Sequence, residues 1–286
     1  MKLLTYEYEA KEQVGILTED YKYVVPAFMY EDMLQLIEHA TLGDLAGIVA
    51  AGENKVALTD VKILAPIPEP AQDLICLGIN YQEHDTEIAH SFGKEQLNKR
   101  NVPIYFSKRV NRAVNPEGFI DGHFDMVDSL DYESELAVII SKDAKKVAEG
   151  DVQDYIFGYT IVNDVSARNV QTAYKQWYFG KSMDDFTPMG PWIVTADEIS
   201  FPPKLDISCK VNGEIRQNSN TKLLVHGIAH IISELSQAMT LKAGTIIITG
   251  TPGGVGMGMK PPCYLKSGDT VTCAIEKIGY LNNIVK

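Results

Sequence analysis

The run Leu130-Asp131-Tyr132-Glu133-Ser134-Glu135-Leu136-Ala137-Val138-Ile139-Ile140 decides how this chain is read. It has the apolar, β-branched composition of a buried strand, yet two glutamates stand where such a strand should be most apolar. Side chains alternate faces along a strand, so Glu133 and Glu135 project to the same side, with Ala137 and Ile139 beyond them. Two crowded carboxylates repel unless a cation, a proton or a strong donor lies between them, because desolvation and like charge both oppose ionisation. A second strand, Phe157-Gly158-Tyr159-Thr160-Ile161-Val162, runs into Asn163-Asp164 and supplies a third carboxylate at a strand end. Glu133, Glu135 and Asp164 converging on one point suit a hard divalent cation, Mg²⁺ or Mn²⁺. Three oxygen donors leave about half of an octahedral shell open for water and substrate, the arrangement a catalytic ion needs. The competing reading, surface carboxylates on an edge strand or in a salt-bridge network, fits the apolar neighbours on both strands less well.

The chain has 286 residues, 45% of them apolar, enough material for a sizeable core in one large domain or two. Its formal net charge of −12 argues against a nucleic-acid surface, which draws on clustered Lys and Arg. The opening Met1-Lys2-Leu3-Leu4-Thr5-Tyr6-Glu7-Tyr8-Glu9 turns acidic before reaching signal-peptide length, and no stretch approaches the roughly 20 apolar residues of a membrane span. Cys76, Cys209, Cys263 and Cys273 lack CxxC spacing and read as free thiols in a reducing compartment. A cytoplasmic protein is the expectation.

Residues 1–65 alternate short β-like pieces with one amphipathic helix, Tyr30 to Ala40, and read as a small N-terminal subdomain. In Ala65-Pro66-Ile67-Pro68-Glu69-Pro70 three prolines at every second position forbid a helix and favour an extended connector. The domain boundary falls there, and residues 70–286 form the main domain. Within it, Asn212-Gly213 between two strand-like runs signals a hairpin. Leu224 to Met239 carries a helical stripe of Val225, Ile228, Ile232, Leu235 and Met239. Thr245 to Thr249 and Asp269 to Ile275 read as strands. Many strands and few helices predict an α+β or mainly-β catalytic domain.

Other residues add chemistry. His84 and Glu87 stand one helical turn apart, so a carboxylate could orient an imidazole that activates water, although an exposed histidine in a polar loop satisfies the same spacing. The polar segment from His84 to Arg100 lacks a sustained apolar face and is a candidate lid. Lys181 sits in a Gly- and Pro-bounded turn where its ammonium could offset the carboxylates or meet an anionic substrate; a solvated lysine is the plain alternative. Arg168 and Gln171 share a face just beyond Asp164 and could grip a substrate carboxylate, or be ordinary helix-surface polarity.

Three features lead elsewhere. The glycine-rich loop 250–258 matches neither GxGxxG nor GxxxxGK[ST], and Pro261-Pro262 blocks the helix a phosphate site would use. His226 and His230 are four apart but lack the glutamate of HExxH. No GxSxG occurs.

Five ordered blocks together resemble the fumarylacetoacetate hydrolase superfamily: Gly78-Ile79-Asn80-Tyr81-Gln82-Glu83-His84, Asp131 to Leu136, Phe157 to Arg168, Gly180-Lys181-Ser182 to Pro191, and Thr249 to Gly256. The resemblance spans residue 70 to the C-terminus. It implies a mixed β-sandwich or β-roll domain, a homodimer, and a divalent metal held by Glu133, Glu135 and Asp164. It also implies that His84 and Glu87 form a water-activating dyad on a lid, that Lys181 stabilises an enolate, and that Arg168, Gln171 and Thr251 hold the substrate. The expected activity is hydrolytic cleavage of a carbon–carbon bond in a 2,4-dioxo acid, as in an acylpyruvase, with oxaloacetate decarboxylation as the alternative. A lysine Schiff base and a non-catalytic dicarboxylate-binding pocket are rivals from outside this chemistry.

Overall fold

A computed structural model of the chain describes residues 1–83 and 102–286. In chain order the strands begin with β1 (Lys2–Tyr8), β2 (Lys11–Leu17), β3 (Tyr23–Pro26), β4 (Val56–Ala57), β5 (Lys62–Ile63) and β6 (Leu74–Gly78). They continue with β7 (Ile104–Lys108), β8 (Phe119–Ile120), β9 (Leu130–Asp131), β10 (Ser134–Ile140), β11 (Ile156–Asn163) and β12 (Ser166–Ala167). The last are β13 (Met189–Thr195), β14 (Asp206–Val211), β15 (Glu214–Asn220), β16 (Ile246–Ile248), β17 (Thr270–Ile275) and β18 (Gly279–Val285). An 11-stranded sheet runs β4-β3-β2-β1-β13-β11-β10-β16-β6-β7, with β5 beside β1. A five-stranded sheet runs β15-β14-β17-β18-β8, and β9 pairs with β12. This strand-dominated α+β architecture is the expected class.

The topology places the site. β10 is antiparallel to both β11 and β16, and β16 is parallel to β6. The start of β10 and the ends of β6, β11 and β16 therefore meet at one edge of the large sheet, where the acidic residues lie.

β10 serves two cores through its two faces. Leu136, Val138 and Ile140 pack with Ile207, Cys209, Val271 and Leu281 of the five-stranded sheet and with Ile231 and Ile232 of the helix Ile228–Ala238. Ala137 and Ile139 pack the other way, with Leu3, Ile16, Met33, Leu36 and Ile248. Glu135 precedes Ala137 and Ile139 on that second face, as the alternation requires. Each fully buried Leu or Ile contributes about 1.5–3 kcal/mol, so β10 is anchored from both sides. The N-terminal strands extend the same sheet through Lys2↔Val194 and Leu3↔Ile193.

Local sequence explains the details. Asn212 and Gly213, both at positive φ (51° and 80°), make the two-residue turn that lets Val211 pair with Glu214. The first helix is shorter than expected, Met33–His39, because Asp32 caps it by accepting from the Gln35 N–H. A second helix, Leu42–Ala51, was not expected: a Thr41/Asp44 capping box starts it, but Leu45 is its one buried residue, so it leaves no apolar stripe to read. The long helix begins only at Ile228, since the Val225 N–H is spent on the Asn80 carbonyl, and Val225 and Met239 are exposed. β18 also escaped the sequence reading.

Candidate metal centre

Glu133, Glu135 and Asp164 are all buried, and one carboxylate oxygen of each lies within 4.8 Å of the others. Backbone pairing fixes them. The Glu133 N–H donates to Asn163 Oδ1 at 2.9 Å, and the Asp164 N–H donates to the Glu133 carbonyl at 2.8 Å. The Gly250 N–H donates to Glu135 Oε2 at 2.6 Å, bringing the glycine-rich loop against the second carboxylate.

Buried cations surround the triad. Lys181 Nζ donates to Glu133 Oε2 at 2.7 Å and to Asp164 Oδ2 at 2.6 Å. Lys108, at the end of β7 and 0% exposed, places Nζ 2.7 Å from Asp164 Oδ1 and donates to the Val165 carbonyl at 3.1 Å. Arg168 Nη2 lies 2.7 Å from Glu133 Oε1, while its Nε donates to Asp131 Oδ2 at 2.8 Å and its Nη1 to Gln171 Oε1 at 3.0 Å. Asp131 in turn accepts from the N–H groups of Gly256 (2.7 Å) and Met257 (3.0 Å). Three amides of the loop 250–258, those of Gly250, Gly256 and Met257, are thus spent on protein carboxylates, in keeping with its failure to match a phosphate motif. Thr251 Oγ1 donates to the Ser134 carbonyl at 3.0 Å and accepts from Gln217 Nε2 at 2.7 Å, which locks it to the start of β10.

Burial and charge pull the titrating groups apart. Burial, reinforced by Asp164 and Glu133, pushes the Glu135 carboxyl well above the usual range. For Lys181 burial opposes the charge, but Asp164 and Glu133 outweigh it and hold the ammonium above the ordinary lysine value. Lys108 goes the other way: burial dominates, one carboxylate offsets it only in part, and Lys181 repels it. Burial likewise opposes the Arg168 charge, and Asp131 and Glu133 overcome it.

Of the residues singled out from the sequence, Glu133, Glu135, Arg168, Gln171, Lys181 and Thr251 line one cavity together with Leu77, Gly78, Ile79, Phe106 and Trp177, and Asp164 joins them through Lys181. His84 and Glu87, and the candidate lid around them, lie outside the described residues. Lys108 and Asp131 were not singled out as site residues; the only hint was a lysine closing an apolar strand and an aspartate opening the acidic one. His226 and His230 stack at 5.7 Å near the surface, with His230 Nδ1 3.0 Å from Glu149, apart from the triad. Ile79 holds φ at 53°, a strained setting for a β-branched residue, beside the triad. The cavity measures about 20 Å³, close to the space of a single water. The buried, all-oxygen donor set fits Mg²⁺ or Mn²⁺ and lacks the thiolate or imidazole that a softer ion would prefer. Among the described residues no helix is long and apolar enough to cross a membrane.

Known proteins resemble this chain in sequence and in fold. Residues 73–286 match the family profile described as fumarylacetoacetate (FAA) hydrolase C-terminal. A Bacillus subtilis protein named oxaloacetate tautomerase YisK is 40% identical over 232 residues, covering 81% of this chain and 75% of its own. A fumarylacetoacetate hydrolase from Exiguobacterium antarcticum superposes with a TM-score of 0.85 at 35% identity, covering 100% of this chain and 99% of its own. A maleylpyruvate hydrolase from Sphingobium sp. SYK-6, solved with manganese(II) and pyruvate, gives a TM-score of 0.77 at 28% identity, covering 100% and 98%. On the profile match, the shared fold and the buried acidic centre, the chain belongs to the fumarylacetoacetate hydrolase family.

Proposed function

We propose that this enzyme uses Mg²⁺ or Mn²⁺, held by Glu133, Glu135 and Asp164, to form an enolate from a small 2-oxo acid. The observation that carries the reading is the convergence of three buried carboxylates within 4.8 Å, with the Lys181 ammonium bonded to two of them. When bound, the ion supplies a Lewis acid that polarises the carboxylate and keto oxygens of the substrate.

The chain's own residues do the rest. Lys181 keeps a positive charge beside the point where enolate oxygen charge develops, and it is worth most there because the site is buried. Gln171 and the backbone around Thr251 border the cavity with polar groups that orient the substrate. Arg168, held by Asp131, presents a rigid guanidinium toward the substrate carboxylate. In the metal-free protein Asp164 and Glu133 favour the charged form of Lys181, which works against a lysine imine there.

The enolate has two uses. If water is delivered to C4 of a 2,4-dioxo acid by His84 and Glu87, the C3–C4 bond breaks, its electrons remain on C3, and pyruvate and a carboxylic acid leave. Oxaloacetate needs no such water: loss of its C4 carboxylate, or proton transfer at C3, passes through the same enolate. The names of the Bacillus and Sphingobium relatives involve oxaloacetate and maleylpyruvate, both 2-oxo acids, which supports the shared substrate core. We also propose the homodimer that the family resemblance implies; sedimentation showing only 31.7 kDa monomers would refute it.

Turnover of acylpyruvates and oxaloacetate with and without chelator, alongside Mn²⁺ calorimetry, tests the reading. Glu135→Ala should lose metal binding and activity together; undiminished Mn²⁺ affinity would count against it. His84→Ala should slow hydrolysis more than decarboxylation, and equal losses would remove the water-activating role.

A further inference from the structure

We infer that Trp177 sets the length of substrate tail the site accepts, confining it to short-chain 2-oxo acids; this rests on the 2-oxo acid reading above. Trp177 is half-buried and shares the cavity with Glu133, Glu135, Arg168, Gln171, Lys181 and Thr251. Its indole occupies the space above Gly78: a Cβ there would meet Trp177 Cζ3 at 2.3 Å and Cη2 at 2.8 Å. Residue 78 is therefore a glycine for room, and the ring is seated on bare backbone. Phe106 meets the indole edge-on at 5.2 Å and 74°, so the ring is braced from a second side.

The same tryptophan is tied to the chemistry. Its carbonyl accepts from the Lys181 N–H at 3.2 Å, and the Lys181 ammonium lies 5.5 Å from the centre of the Phe106 ring. Ile79, next in the chain and strained at φ 53°, adds a third apolar side chain to the wall. The cavity thus has a polar lining of carboxylates, Lys181, Arg168, Gln171 and Thr251, and an apolar lining of Leu77, Ile79, Phe106 and Trp177. A 2-oxo acid that sets its carboxylate and keto oxygens against the polar lining leaves C3 and whatever follows to the apolar side chains. The space between them is about 20 Å³, so a methylene directed at Trp177 meets a packed ring. Packed walls discriminate by roughly 10- to 200-fold per methylene.

Calorimetry on the Mn²⁺-loaded protein separates the possibilities. Oxalate probes the polar lining alone; pyruvate, 2-oxobutyrate, 2-oxopentanoate and 2-oxohexanoate probe the tail. The wild type should bind progressively more weakly as the chain lengthens. Trp177→Ala should bind 2-oxohexanoate at least about tenfold more tightly than the wild type while changing oxalate affinity less than about twofold. Trp177→Phe, which keeps an aromatic ring on Gly78, should retain most of the wild-type profile. An unchanged chain-length profile in Trp177→Ala, with oxalate still bound, would overturn the role of Trp177 and leave the metal reading standing. Failure of the wild type to bind oxalate at all would overturn both.

Discussion

The ion pairs around Asp164 and the pair Lys242–Asp143 use the same chemical groups at similar distances and have little else in common. Lys242 Nζ lies 2.5 Å from Asp143 Oδ2, with the side chains 60% and 52% exposed. Lys181, Lys108 and Asp164 meet at 2.6 to 2.7 Å with none more than 2% exposed. In water the exposed pair gains little, because solvent screens it and two flexible chains must be held. In the interior each charge depends on its partners, and replacing one leaves the others stranded. Lys108 and Lys181 sharpen the contrast within the site: two carboxylates keep Lys181 firmly charged, whereas one leaves Lys108 below the usual lysine value. Counting contacts would rank these pairs alike; environment separates them.

The largest effect should follow from Asp164→Ala. It removes a proposed metal ligand, strands the buried Lys108 ammonium and leaves Lys181 with Glu133 alone, so urea unfolding should report a loss of about 3–5 kcal/mol, with activity falling at least about 10²-fold. A stability loss no larger than that of a surface mutant would refute the contrast. Asp131→Asn comes next. It weakens the anchor of Arg168 and should lower metal affinity or turnover by about 10- to 100-fold, an effect that calorimetry and steady-state rates can resolve.

Proton competition gives a prediction of the same order. Burial and like charges raise the Glu135 carboxyl, so the metal-free protein retains a proton there to higher pH than an ordinary glutamate would. Metal binding must expel that proton, hence Mn²⁺ affinity should rise with pH, by up to about tenfold per pH unit, until the carboxyl is already ionised. A flat profile would place the proton elsewhere. Lys108→Met removes one partner of a buried pair but leaves Asp164 bonded to Lys181, so the stability loss should fall below the roughly 3–5 kcal/mol of a fully broken buried pair, while Mn²⁺ binding should strengthen because a nearby positive charge is gone. The smallest effect belongs to Lys242→Ala, which should leave the melting temperature and turnover unchanged.

The sequence showed the acidic centre because Glu133 and Glu135 interrupt an otherwise apolar run, and a strand cannot bury that pair without a reason. It did not show Lys108: a lysine closing a strand is ordinarily a solvated end, and only the packing of β7 beside β6 turns it inward to Asp164. Asp131 was visible as part of a motif, but its partners lie some 37 and 125 residues away at Arg168 and Gly256, a separation that no local pattern records. The helix Leu42–Ala51 rests on its cap, not on an apolar face, so periodicity passed over it. His84 and Glu87 were proposed from spacing and family likeness, and their role is left to the mutational test above.

One feature of β10 reaches beyond catalysis. Because its two faces are wedged between separate cores, a cation seated at its first residues would grip a strand that both halves of the interior lean on. Ligand that favours only the native form raises stability by mass action. Melting curves recorded across a series of divalent ions should therefore rank the ions by affinity without any substrate, turning the enzyme's own thermal resistance into its selectivity assay.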